Sequence, residues 1–488
     1  MATGLATVLL STAASAAPEP GAPGIGDPYY PDAGNGGYDV GHYDIRLTYQ
    51  PGGDKLSGTT TILATTTQEL SSFNLDFALR TTSVRVNNAP AEFSKQAPTE
   101  LKVTPAKPLA KGQPITVVVR YADVPSNVDV DGFTAWKKTP DGALAVDQPD
   151  IAEWWYPSND HPLDKATHDV SAEVPDEVSA LSNGTLVGKT KQRPGWTRWN
   201  WRSIHPQATY LTLLAVGDFE IRDARTPGGQ PFVTAYSNRL DPANSQAAKA
   251  SVERSPEVAE VLAKDFGPYP FEAHGGVVTP DIGFALENQT RSAYDEVFFA
   301  RGTSNTYVVA HEVAHQWFGD SVSVGGWRDI WLNEGFASYA EYLWSDYLGE
   351  GTPKELAQYV YDSYPADDEF WQVLPGDPGP ENQFHPAVYD RAALTVQALR
   401  TEVGDAAFFE ILRTWLAERS GGTGTTKDFV ALAERISGTS LDSLFDTWLF
   451  TKGKPATGPN GAAAAYRAQA EPESYPKIAA THRELRGR

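Results

Sequence analysis

The stretch HEVAHQWFGD, residues 311 to 320, sets two histidines four apart with a glutamate directly after the first. In a helix, residues four apart sit one turn apart on one face. His311 and His315 can therefore aim two imidazoles at one ion, and zinc takes such nitrogens at about 2.0–2.1 Å in a tetrahedral arrangement. Glu312 is placed to take a proton from water at the metal without being a ligand itself. A catalytic zinc also needs a third protein ligand and an open position. WLNEGFASYAEYLW supplies Glu334, 19 residues after His315. The expected set is His311, His315 and Glu334 around one Zn2+ per chain. Glu341 follows seven residues later on the same helical face. It is either a partner that orients a ligand histidine or a solvated helix charge.

Two helices and a turn must position these groups. TSNTYVVAHEVAHQWFG reads as the first helix, with Thr303 or Ser304 as its cap and Gly319 as its stop. Gly349 can end the second. Helical spacing recurs in SVERSPEVAEVLAKDFG, KDFVALAERISG and LDSLFDTWLFTKG, which predicts a mostly helical domain over 223–455. Ahead of it, YDVGHYDIRLTYQ, GTTTILATTT, ITVVVRYA and YLTLLAVGDFEI alternate apolar and polar residues between turn formers. That pattern predicts an all-β domain over 38–222. The fold class is α+β and multidomain. Pro/Gly-rich residues 18–37 read as a linker, and the Ala-, Gly- and charge-rich tail 456–488 reads as disordered.

Composition excludes several function classes. The 488 residues carry a formal net charge of -22, which argues against nucleic acid and anionic membrane as partners. With no cysteine there is no disulfide, no thiolate ligand and no thiol nucleophile, so zinc must be held by histidine and carboxylate. Residues 1–17 read as a signal-peptide-like segment: 5–17 are apolar or small and Ala14-Ser15-Ala16 looks like a small-residue cleavage site, although no Lys or Arg precedes the apolar run. Secretion is the expectation, with a cytoplasmic protein and an Ala-rich tail as the alternative. The run is too short to anchor in a bilayer, which takes about 20 apolar residues.

HEVAHQWFGD followed by WLNEGFASYAEYLW resembles the gluzincin pattern of the zinc aminopeptidase family of aminopeptidase N and leukotriene hydrolase. GFALENQT, residues 283 to 290, resembles that family's Gly-x-Met-Glu-Asn exopeptidase motif, with Phe284, Ala285 and Leu286 in place of its commonest small residue and methionine. Leu for Met nearly conserves volume. VYDRAAL resembles the segment carrying the catalytic tyrosine, and DFGPYPF and WWYPSNDHP resemble further landmarks. The likeness runs from about Tyr38 to about Pro455. It implies a saddle-like N-terminal β domain and a thermolysin-like catalytic domain, in a short form without the long C-terminal helical domain of larger members.

The resemblance also assigns roles. Tyr389 is the donor to the oxyanion of the tetrahedral intermediate. Glu287 binds the α-ammonium of the substrate, which is mostly cationic at neutral pH. Gly283, Ala285 and Asn288 are its motif neighbours. Gln148, nine residues before Pro157, lines the same subsite and can offer a carbonyl acceptor. Asn288-Gln-Thr and Asn183-Gly-Thr both match a glycosylation sequon, and Asn183 is the better surface candidate. The expected function is a monomeric zinc aminopeptidase that releases N-terminal residues from peptides with a free N-terminus. The rivals are a thermolysin-like endopeptidase, which needs no Glu287, an epoxide hydrolase of the leukotriene type, and a binding protein with a dead site.

Overall fold

Strand residues 38–50 show how the β domain is encoded. Tyr43, Ile45, Leu47 and Tyr49 point inward, while Arg46 and Gln50 are exposed between and after them. This period-two burial is what a sheet with one covered face requires. In the computed structural model, which describes residues 18–130, 132–461 and 470–485, eight strands form the main sheet. Their order across it is 185–193, 196–207, 166–175, 38–50, 55–66, 114–123, 81–86 and 89–90. Two four-stranded sheets complete the domain, and one of them carries 214–217. The leader expected over 1–17 lies outside the described residues.

The next sheet opens the catalytic domain. Strand 219–225 pairs antiparallel with 231–237, which runs parallel to 274–279 and through it to 292–295 and 285–286. The boundary expected after residue 222 therefore cuts a hairpin, and the domain begins before residue 219. The alternation that marked 219–222 as strand was sound, but alternation does not say which sheet a strand joins.

Nine helices are described: α1 (Pro242–Val252), α2 (Ser255–Phe266), α3 (Thr306–His315), α4 (Trp331–Leu348), α5 (Pro353–Ser363), α6 (Ala392–Glu418), α7 (Thr426–Ser437), α8 (Asp442–Phe445) and α9 (Tyr475–Leu485). Asn305, not Thr303 or Ser304, caps α3 by accepting from the Tyr307 and Val308 amides. Gly349 ends α4 in the left-handed conformation at φ 73°. Both α3 and α4 are buried along most of their length, so Glu312, Glu334 and Glu341 are held inside the domain.

Two composition-based expectations do not hold. Segment 18–37 is a strap tied to both domains rather than a loose linker. Glu19–Pro20 pairs with strand 70–76, and Asp27 meets His161 Nε2 at 3.1 Å and accepts from the Trp327 amide at 2.8 Å. Tyr30 donates to Gln383 at 2.7 Å. The anchoring comes from a short backbone pairing and from single side chains, neither of which a Pro/Gly count sees. The tail is likewise not disordered over 475–485, where α9 buries Ile478, His482 and Leu485.

Candidate metal and peptide-binding site

Helices α3 and α4 cross so that His311, His315 and Glu334 each offer a ligand atom, all within 4.8 Å of one another. Glu334 Oε2 lies 3.2 Å from His311 Nε2 and 3.5 Å from His315 Nε2. The opposite nitrogens are already engaged. His311 Nδ1 is 2.8 Å from Glu341 Oε1, and His315 Nδ1 is 3.0 Å from the Phe318 carbonyl. A proton held on each Nδ1 leaves both Nε2 lone pairs aimed at one point, which is how metal-ligating histidines are oriented. The donor set therefore fits Zn2+: two imidazole nitrogens and one carboxylate, three of the four donors that a tetrahedral zinc takes. Of the two readings of Glu341, the structure supports the orienting partner, since its side chain is fully buried.

The electrostatics agree with a cation between these groups. Burial opposes charge on the histidines, yet Glu334 and its neighbours outweigh it, so His311 is raised and His315 rises to about 10. The same pairing, with His315 the strongest partner, holds buried Glu334 well below the usual carboxylate range. The carboxylates thus create a negative potential at the two Nε2 atoms, which favours a positive charge there, whether a proton or a metal ion.

Glu312 is buried on α3, and its carboxylate lies within 4.8 Å of ligand atoms of His315 and Glu287. Tyr389 is buried in a wide turn at 387–391, with its ring 6.0 Å from that of His311. Glu287 Oε1 accepts from Tyr210 at 2.9 Å and faces Gln148 Nε2 at 3.4 Å. Gln148, from the β domain, is thus brought against Glu287 across the domain junction. Gly283 adopts φ 82° and its amide donates to Asp295 at 2.7 Å. Ala285 lies in the short strand 285–286, opposite Tyr294. Asn288 donates to the Leu211 carbonyl and is fully buried.

The same loop holds Thr290 at φ 67°, a strained conformation for a β-branched residue. Gln316 pays that strain back by accepting from the Thr290 amide at 2.8 Å while donating to the Glu287 carbonyl at 3.1 Å. One side chain next to His315 thereby sets the backbone of the Glu287 loop. Asn183 is not a surface acceptor. It is buried, donates to the Leu211 and Gln289 carbonyls and accepts from the Leu213 amide.

Sequence reasoning missed Tyr210, Gln316 and His482. Tyr210 sits in a single turn at 209–211 inside a stretch read as strand, with no local mark of its role. Gln316 was inside the quoted motif, and its place directly after His315 was the available signal. His482 lay in the segment taken as disordered. The spacing of Ile478, His482 and Leu485 on one helical face could have found it.

Residues 40–211 match the peptidase M1 N-terminal domain, and residues 251–448 match the peptidase family M1 domain. The chain belongs to peptidase family M1. Its architecture is the two-domain form of that family, β-rich first and mostly helical after. A similar structure is the M1 zinc metallopeptidase from Deinococcus radiodurans, at 29% identity and TM-score 0.78 over 91% of this chain and 100% of that one. A variant of that enzyme bound to a Tyr-Ser-Ala substrate gives TM-score 0.78 and 29% identity over 88% and 99%. Among curated relatives, aminopeptidase M1-D of Oryza sativa subsp. japonica is 28% identical over 325 residues, 62% of this chain and 36% of the relative. Glutamyl aminopeptidase of Rattus norvegicus is 27% identical over 360 residues, 69% of this chain and 38% of the relative. The chain thus matches little more than a third of the length of these M1 relatives.

Proposed function

We propose that this M1 peptidase is a zinc-dependent aminopeptidase. The observation that carries the proposal is the placement of Glu287 beside the metal ligands, with atoms of Glu287, Glu312 and His315 within 4.8 Å of one another. A carboxylate one residue's length from the scissile bond selects a substrate by its ammonium and fixes the first peptide bond at the site. An endopeptidase has no use for that carboxylate. The Deinococcus relative in complex with a tripeptide supports peptides as the substrate class.

Bound by His311, His315 and Glu334, Zn2+ supplies Lewis acidity toward the scissile carbonyl and toward water. Glu312 takes the proton from the attacking water and returns it to the leaving amine. Tyr389 donates a hydrogen bond where negative charge develops on the carbonyl oxygen. Glu287 and the Gln148 carbonyl accept from the ammonium, and Tyr210 fixes the Glu287 carboxylate by its hydrogen bond. Burial of these groups excludes water and strengthens each contact. Every one of these groups comes from a single chain, so we assign the activity to a monomer. We also assign export, on the signal-like leader, and among the described residues no helix is long and apolar enough to cross a membrane.

Aminoacyl chromogenic amides and their N-acetylated counterparts test the reading. Hydrolysis confined to the free amines and abolished by a zinc chelator is the expected result. Equal cleavage of the acetylated compounds would replace the aminopeptidase with an endopeptidase.

A further inference from the structure

Helix α9 reaches the site from a distant part of the chain, and three of its contacts converge there. Asn305 Nδ2 donates to Thr481 Oγ1 at 2.9 Å, and the Asn305 side chain caps the zinc-ligand helix α3. His482 Nε2 is 2.8 Å from Glu341 Oε1, the same oxygen that meets His311 Nδ1. His482 Nδ1 is 2.7 Å from Asp390 Oδ1, next in the chain to Tyr389. The His482 ring lies 6.0 Å from the Tyr389 ring and 6.1 Å from that of His311. Thr481, His482, Glu341, His311, Asp390 and Tyr389 are all buried, and Asn305 is half-buried.

We infer that His482 is a positioning residue that ties the metal ligand His311 to the oxyanion donor Tyr389 through Glu341 and Asp390. The inference rests on the aminopeptidase reading for the role of Tyr389, but not for the role of Glu341. Both ring nitrogens face carboxylates, so each donates. Two donors then converge on Glu341 Oε1, while Oε2 has no hydrogen-bond partner among the described residues. That asymmetry makes the Glu341 orientation depend on His482. Without the second donor, a buried carboxylate keeps one partner and can turn about it, and His311 loses its fixed ring plane. On the other side, Asp390 is held by His482 and by Tyr364, which donates to Oδ2 at 2.9 Å. Releasing one of these loosens the turn that presents Tyr389. A side chain 93 residues beyond Tyr389 in the sequence thus fixes the distance between the ion and the oxyanion donor.

His482→Ala and the shape-conserving His482→Gln test this in the full-length chain. Zinc affinity is read by chelator competition, and the electronic spectrum is read on cobalt-substituted protein. Steady-state kinetics with an aminoacyl amide supply kcat and KM. The expected outcome for His482→Ala is about 10–100-fold weaker zinc binding and a similar loss in kcat, with KM within about twofold. The cobalt spectrum shifts, and His482→Gln, which keeps one donor, falls between. Adding Glu341→Gln to His482→Ala produces much less than the product of the two effects, because both act on one ligand. Lys477→Ala, which removes the ion pairs of Lys477 with Glu350 and Glu473, leaves zinc affinity and kcat unchanged. Folded His482 variants with zinc affinity, spectrum and kcat all within twofold of the parent would overturn the inference, and so would the same losses in Lys477→Ala. If His482→Ala does not fold, His482→Gln is judged by these criteria alone. A parent protein that binds zinc in a His482-dependent way yet cleaves no free-amine substrate would sink the aminopeptidase reading and leave the Glu341 half of this one standing.

Discussion

The two domains each bury a histidine completely, and they do so in opposite ways. In the β domain, His168 stacks on Tyr43 at 5.0 Å, with Nδ1 on the Ala166 carbonyl at 3.0 Å and Nε2 facing the Tyr156 hydroxyl at 3.3 Å. Its partners are neutral, and burial drives its pKa down to about 3. In the catalytic domain, His482 has a carboxylate at each nitrogen. Burial opposes its charge too, but Glu341 and Asp390 outweigh it and raise the pKa to about 9. His168 is a packing group that happens to titrate, whereas His482 is a cation placed to hold two anions. What separates these two histidines is the company at their ring nitrogens, not the depth of burial.

The sharpest break of this contrast is Glu312→Gln. It leaves the ligands in place, so zinc content should stay at one per chain while kcat falls by about 10³–10⁴-fold. Metal analysis beside kinetics checks both halves. Next comes Glu287→Gln, which removes the anion but not the shape. Losing one charge-assisted contact to the ammonium should lower kcat/KM for free-amine substrates by about 10–100-fold, with no comparable effect on zinc binding. A measured preference for free over acetylated amines that survives this change would remove Glu287 from its assigned role.

The smallest effect belongs to the β domain. His168→Gln should leave zinc content and kcat untouched and cost stability alone, about 1–3 kcal/mol. The pH dependence has a definite sign. The unfolded chain protonates this histidine near the ordinary imidazole value of 6.5, the folded one only near 3. Between those values the unfolded state binds the extra proton, so the His168 contribution falls as pH drops from 6.5 toward 3, by up to about 1.4 kcal/mol per pH unit. Urea unfolding of parent and variant at pH 7 and pH 5 should show the gap between them narrowing at the lower pH. A gap that widens would mean that His168 is charged in the fold.

How much of this was legible depended on distance along the chain. His311 and His315 were legible as neighbours because helical spacing turns sequence offsets into geometry, whereas Glu334, on a second helix, was a candidate that the crossing of α3 and α4 brings beside them. Glu287 and Tyr389 came from motif resemblance, and the structure sets both around the same helix. Gln148 reaches Glu287 from the other domain, a contact that no local pattern encodes. Tyr210 was invisible for the same reason, since a single turn carries no periodicity. The strap and α9 were misread because composition reports average character, whereas Asp27 and His482 each act as one side chain at one place. The domain boundary slipped because 219–225 alternates like its predecessors but hydrogen-bonds forward to 231–237.

The turn at 387–391 winds more widely than the helix it leads into. The Ala392 amide donates to the Ala387 carbonyl, five residues back, so the chain carries one more residue in this turn than a regular α-helix would. One residue corresponds to about 100° around a helix axis. Val388, Tyr389 and Asp390 therefore point where they do, relative to the rest of α6, because of a local insertion. A chain shorter by one residue here would wind a more regular helix and face the phenol away from the ion. At this point regular backbone geometry and the placement of the functional groups favour different chain lengths, and the protein keeps the longer one.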